Sequence, residues 1–293
     1  MSGNFTAEIK ESFKRGNIVT KLIYVNLAVF VMARLAAVAL QLFNHQADFL
    51  RFIELPSTLP DIGMQPWSLF TYMFLHFDFI HILFNLLGLY WFGKLFLIFF
   101  SERHLLGTYL LGGICGAVFF VLAYYLFPFF DTYRTTYLLG ASASILAIMA
   151  ATAFAAPDFE ITLMFIGNVR LKYLAAVWIL IDLLSVTSFN AGGHFAHLGG
   201  FFFGLLFALS YKHGHDITAP VNKTIDAIVN IFKRKPKLRV KTNNTAMHMS
   251  DEEYNKSRHN EDEEIDRILG KIKERGYDSL TKQEKELLFR QKK

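Results

Sequence analysis

Cysteine is almost absent from this 293-residue chain, which carries Cys115 and no other, so no disulfide framework can hold it together. Proline is scarce too, at seven residues, and Pro56, Pro60 and Pro66 fall in one short segment. Charge is missing in whole blocks: 53% of the residues are hydrophobic, 31 of them Phe, and they gather in runs rather than in a periodic scatter. That pattern excludes an ordinary soluble domain and indicates a polytopic membrane protein of all-α class. The polar start MSGNFTAEIKESFKRGN is not followed by a short apolar core with a small-residue cleavage site, so no removable signal peptide is expected. The net charge of +5 comes from basic residues beside the apolar runs and in the tail. Nucleic acid is therefore not an expected partner, whereas the lipid bilayer is.

Six spans are expected, at Leu22–Phe43, Phe79–Phe100, Leu105–Phe127, Ser142–Ala156, Leu171–Val186 and His194–Tyr211. The fourth and fifth are short for an upright crossing, which takes roughly 20 residues. They should be surrounded by other helices, reached from a watery recess, or longer than their apolar cores. Cys115 lies among Gly112, Gly113 and Gly116, a composition for close helix packing. Lys10, Lys14, Arg15 and Lys21 precede the first span, Arg170 and Lys172 the fifth, and Lys212 follows the sixth. The positive-inside rule then places both termini in the cytoplasm, and the expected location is a bacterial cytoplasmic membrane. The segment from Asn44 to Leu75 falls outside and reads as a folded flap in the interface.

Four regions follow: a cytosolic segment over 1–21, a membrane domain over 22–213, an interfacial helix and basic linker over 214–250, and a small helical cytosolic module over 251–293. Val221, Ile225, Ile228, Val229 and Phe232 recur at helical spacing ahead of the basic run Lys233, Arg234, Lys235, Lys237, Arg239 and Lys241. Such a run suits anionic headgroups, and equally a plain linker obeying the positive-inside rule. Ile265, Ile268, Leu269 and Ile272 mark a short helix ended by Gly276, and Thr281 with Glu284 forms a capping box for another.

The chemistry lies in the spans. With the amino terminus inside, even-numbered spans all run inward, so their first turns share one depth near the outer surface. Ser142 opens the fourth span, His197 lies one turn into the sixth, and His81 and Asn85 occupy the first two turns of the second. His81 and Asn85 project from one helix face, about 6 Å apart along the axis. Gly193, His197, Gly200 and Gly204 form one stripe, and Ala143, Ala147, Ala150 and Ala151 offer small partners on the fourth span. Packing of the two would bring a histidine base to a serine nucleophile, with His81, Asn85 and the Ser142 amide as oxyanion donors. Arg34 and Asp182 are further charges within spans, and Asp182 lies near the depth of His197.

His76–xxxx–His81–xxx–Asn85, Gly140–Ala141–Ser142 and Ala196–His197–Leu198–Gly199–Gly200–xxx–Gly204 follow one another in an order that resembles the rhomboid family of intramembrane serine proteases. The resemblance runs from about Leu22 to Tyr211 and implies a six-helix bundle with Ser142 as nucleophile and His197 as base, working as a dyad without Asp182. It implies no cofactor or metal, and a substrate that is another protein's transmembrane helix, entering sideways. Ala143 and Leu146 stand where family members often carry glycine and an aromatic residue, and Trp67–Ser68 replaces the usual Trp–Arg. A rhomboid-like binder of transmembrane helices that does not cut is the alternative; it has no need of a nucleophile beside a base. A transporter would want midplane ion sites and internal repeats, which are not seen.

Overall fold

The computed structural model describes residues 5–44, 48–131, 135–163, 166–232 and 250–290. The chain divides into a unit over Met1–Lys233 and a second over Arg234–Lys293. The described residues are mostly helical. Among the described residues four helices are long and apolar enough to cross a membrane: α2 (Ile18–Leu42), α5 (Phe79–Phe99), α6 (Glu102–Leu126) and α9 (Ala191–Lys212). The fourth and fifth expected spans appear as α7 (Ser142–Ala155) and α8 (Leu171–Leu184), of 14 residues each.

These two short helices solve their length problem differently. In α7 every residue from Ala143 to Ala153 is buried, so protein rather than lipid meets its backbone. By contrast, α8 buries only Leu171, Ala175 and Asp182, and it exposes Tyr173, Val177, Trp178, Leu180, Ile181, Leu183 and Leu184. It is a peripheral helix, and being surrounded does not explain its shortness. Between the two lies a hairpin that the apolar pattern did not announce, β3 (Glu160–Leu163) antiparallel to β4 (Gly167–Arg170), pairing Glu160 with Arg170 and Leu163 with Gly167.

Close backbone approach organises the centre. A Cβ on Gly200 would fall on the Ala143 carbonyl, and one on Gly204 on the Ala147 carbonyl, so α9 rides directly on the α7 backbone. From the other side, Gly112 and Gly116 of α6 admit the Ala147 and Ala143 methyls. Gly193 takes no part in this contact, because a Cβ there would meet the side chain of Asn190, which precedes α9.

The starts of α2 and α6 lie together at one end of the bundle. Asn17 caps α2 by accepting from the Thr20 N–H, and the Glu102 carboxylate at the start of α6 accepts from the Ile18 N–H at 2.9 Å. The amphipathic α1 (Phe5–Arg15), which the polar N-terminal sequence concealed, precedes this end. Helix α10 (Ala219–Phe232) joins it through Arg103–Asp226 at 3.1 Å and through Thr218 against Gly107. The basic run beyond α10 lies outside the described residues.

The flap is folded, as a short strand β1 (Leu55–Pro56) and two small helices, α3 (Leu59–Met64) and α4 (Ser68–Thr71). Strand β1 pairs with β2 (Tyr137–Leu138), just ahead of Gly140, and the Trp67 indole N–H donates to the Phe52 carbonyl at 2.6 Å. Its last part departs from an interfacial flap: Tyr72, Met73, Leu75 and His76 are buried, and the Tyr72 hydroxyl donates to the Gly113 carbonyl at 2.6 Å. Within α2, Arg34 is exposed and lies over the Phe77 ring, 5.7 Å from its centre.

In the second unit, α11 (Asp251–Arg275) is longer than the short helix expected, because Ser250 and Glu253 form a capping box well ahead of the apolar positions. Gly276 ends it at φ +77°. Helix α12 (Lys282–Arg290) begins at the Thr281–Glu284 box, and Lys271 of α11 donates to both Glu284 oxygens at 3.0 Å. The Thr281 N–H, followed by Lys271, holds Glu284 down at about 2.

The α7–α9 contact makes a direct prediction. Gly200→Ala drives a methyl into backbone that cannot move aside, at a cost of about 1–3 kcal/mol, and lowers the midpoint of thermal unfolding in detergent. Gly270→Ala in α11, where the new methyl meets nothing within 4 Å, does not lower it. Equal melting of Gly200→Ala and wild type would contradict the packing.

Candidate active site

Ser142 is set by the turn in front of it. Gly140 adopts φ +116°, a conformation that side chains resist, and its N–H donates to the Tyr72 carbonyl at 3.0 Å. Ala141 precedes the helix without a side-chain cap, and its N–H donates to His76 Nε2 at 3.4 Å. Ser142 is then the first residue of α7, where amide N–H groups have no partner within the helix and the dipole favours negative charge.

Helix α9 brings His197 to this point. His197 Nε2 lies 2.7 Å from Ser142 Oγ, and His197 Nδ1 lies 2.8 Å from Asp182 Oδ1. A carboxylate only accepts, so Nδ1 carries the ring proton and Nε2 presents a lone pair to the serine hydroxyl. Asp182 is buried, with 5% of its side chain exposed, whereas Ser142 is half-buried and the His197 side chain is 19% exposed. The same Asp182 oxygen also lies 2.7 Å from Nδ1 of His194, one turn earlier on α9.

The second span contributes more loosely. The Asp78 carboxylate caps α5 by accepting from the His81 N–H, and a Cβ on Gly140 would lie 2.8 Å from His81 Cε1 and Nε2 and 3.9 Å from Ser142 Oγ. His81 therefore flanks the serine across Gly140. Its ring also meets His76 edge-on at 5.0 Å. Asn85 is buried one turn further, where its amide donates to the His81 carbonyl at 2.9 Å and its Oδ1 has no partner. One N–H of the Asn85 amide is thus engaged within α5.

A family profile described as the Rhomboid domain matches residues 63–213, more than half of the chain and all of the groups just described. The chain belongs to the rhomboid family. With its four membrane-length apolar helices, it is an integral membrane protein. It is 30% identical over 194 residues to RHOMBOID-like protein 12, mitochondrial, of Arabidopsis thaliana, an alignment covering 63% of this chain and 55% of that protein. The chain thus spans little more than half the length of this relative. A second profile, a family of unknown function named DUF6576, matches residues 250–290, the α11–α12 module.

Against this rhomboid background, two groups exceed what the sequence motifs marked. Asp182 was legible as a charge at the right depth, yet the dyad pattern left it out of the set. It is in hydrogen-bonding contact with His197, and it supplies the orienting partner at a site with Leu146 in place of the usual aromatic residue. His194 was missed, although its separation of three from His197 puts both on one helix face. Leu146 itself packs away with Met149, Ala150 and Phe201.

Gly140 tests the local geometry. Gly140→Ala places a side chain at positive φ against the His81 ring, costing about 1–3 kcal/mol. Thermal unfolding should show that loss, and an unchanged midpoint would mean the turn is not constrained as described.

Proposed function

We propose that this rhomboid is an intramembrane serine endopeptidase, cutting peptide bonds in or next to the transmembrane segments of other membrane proteins. The observation that carries the reading is the hydrogen-bonded chain from Ser142 Oγ through His197 to Asp182, at 2.7 and 2.8 Å. In this reading His197 Nε2 takes the Ser142 proton as Oγ attacks the substrate carbonyl, and Asp182 stabilises the imidazolium that forms. The carbonyl oxygen becomes an oxyanion, facing the Ser142 amide at the α7 N-terminus, with His81 beside it and Asn85 supporting from below. His197 then returns the proton to the leaving amine, and water releases the acyl group by the same steps.

The proposal extends to topology. We read α2, α5, α6, α7, α8 and α9 as six spans, with both termini in the cytoplasm of a bacterium and the serine opening toward the opposite side. Backbone groups cannot be left unpaired in lipid, so an intact substrate helix resists attack and the enzyme receives an unwound segment in its polar layer. A membrane protein that binds helices without cutting gives no reason for a serine hydroxyl to face an oriented imidazole, which is why catalysis is preferred.

Purified enzyme should cleave a reporter transmembrane substrate, and Ser142→Ala and His197→Ala should each abolish cleavage while leaving the protein folded. Asp182→Asn should lower kcat by about 100-fold or more, because an amide no longer fixes the histidine tautomer. Asn85→Ala should cost no more than the about 2.7–4 kcal/mol of a direct oxyanion donor. Cleavage by Ser142→Ala, or none by the folded wild type, would overturn the assignment.

A further inference from the structure

One imidazole in this cluster is not used by the proton relay. His194 and His197 both direct Nδ1 at the same oxygen of Asp182, at 2.7 and 2.8 Å, and the donor atoms of the three side chains all lie within 4.8 Å of one another. Among the described residues no lysine or arginine pairs with the buried Asp182 carboxylate; its neighbours are these two rings. Both histidines are half-buried, with 18% and 19% of their side chains exposed, so water reaches them.

The geometry points to a second use of this cluster: Asp182, His194 and His197 form a three-ligand site for a zinc-like transition-metal dication, and its binding switches the serine off. Two imidazoles and one carboxylate are a donor set that zinc accepts with a fourth position left to water, whereas magnesium and calcium prefer all-oxygen surroundings. Zinc bonds of about 2.0–2.2 Å put neighbouring ligand atoms roughly 3.3 Å apart, so each imidazole needs to part from the Asp182 oxygen by about half an ångström to admit the ion. The dication would also neutralise a carboxylate that has no fixed cation.

Inhibition follows from the tautomer. To bind, His194 and His197 each give up the Nδ1 proton and ligate through that nitrogen, while each Nε2 takes up a proton, so both rings stay neutral. His197 Nε2 then faces Ser142 Oγ as an N–H donor and can no longer accept the hydroxyl proton. Metal at Nδ1 thus removes the base without displacing it. The inhibitory half of this inference rests on the protease reading; the binding half does not.

The test uses the full chain in detergent. Ser142→Ala protein should bind one Co2+ with the intense visible d–d bands of a four-coordinate site, and Zn2+ should bleach them. His194→Leu and His194→Gln, the latter keeping a hydrogen-bond donor for Asp182, should lose those bands. In cleavage assays with otherwise wild-type enzyme, Zn2+ should inhibit reversibly on chelation and Mg2+ should not. Measured against each variant's own uninhibited rate, both His194 variants should need more than about tenfold more Zn2+ for half-inhibition. Enzyme that cuts, yet shows no His194-dependent cobalt bands or the same zinc sensitivity in wild type and variants, would overturn the metal site and leave the protease reading standing. Protein that shows the bands and never cuts would retain the metal site and overturn its inhibitory role together with the protease reading.

Discussion

The approach of α9 onto the backbone of α7 is the contact on which the rest of the membrane unit depends. Gly200 and Gly204 have no side chain where the Ala143 and Ala147 carbonyls sit, and no other residue type fits there. That closeness carries His197, one turn before Gly200, to within hydrogen-bond distance of Ser142, one residue before Ala143. The alanine-rich face of α7 serves the same end on its other side, where Gly112 and Gly116 let α6 close in. Small residues here are positioning devices: they leave no methyl between the helices to hold His197 away from Ser142.

A second constraint acts on orientation. An imidazole at the right distance is of little use with its proton on the wrong nitrogen, and a buried carboxylate is costly unless it is hydrogen-bonded. Asp182 meets both conditions from α8, a peripheral helix that also buries Leu171 and Ala175 and turns most of its other apolar side chains outward. The same arrangement explains the shared oxygen between His194 and His197. Two N–H donors satisfy the anion better than one, and they also assemble the donor set proposed to take a metal dication.

Much of this was legible in the sequence because it depends on local pattern. Runs of apolar residues located the helices to within a few positions, and Gly140, Ser142, His197 and the following glycines marked the place where chemistry and close packing coincide. The Thr281–Glu284 box was readable from two residues. Contacts set by the tertiary fold were not. Tyr72 to His76 has the texture of an interfacial flap and lies in the core, because Gly113 and Gly140 provide backbone partners that no local pattern shows. Helix α1 carries Phe5, Ile9 and Phe13 at helical spacing, but within a segment whose polar composition masked them, and the β3–β4 hairpin is too short and polar for apolar periodicity to mark it. Asp182 was visible as a charge, but its partner is 15 residues away on another helix. The start of α11 was missed because Ser250 and Glu253 cap a turn far from the apolar positions.

On the proposed function, His197 makes Ser142, and no neighbouring hydroxyl, a nucleophile. A fluorophosphonate probe applied to the folded protein, with the modified peptide identified by mass spectrometry, tests it without any choice of substrate. One adduct is expected, on Ser142, that disappears in His197→Ala, while Ser144, fully buried with its hydroxyl against the Met73 sulfur at 3.9 Å, stays unmodified. No adduct on the wild-type protein, or equal labelling of Ser142 with and without His197, would contradict it.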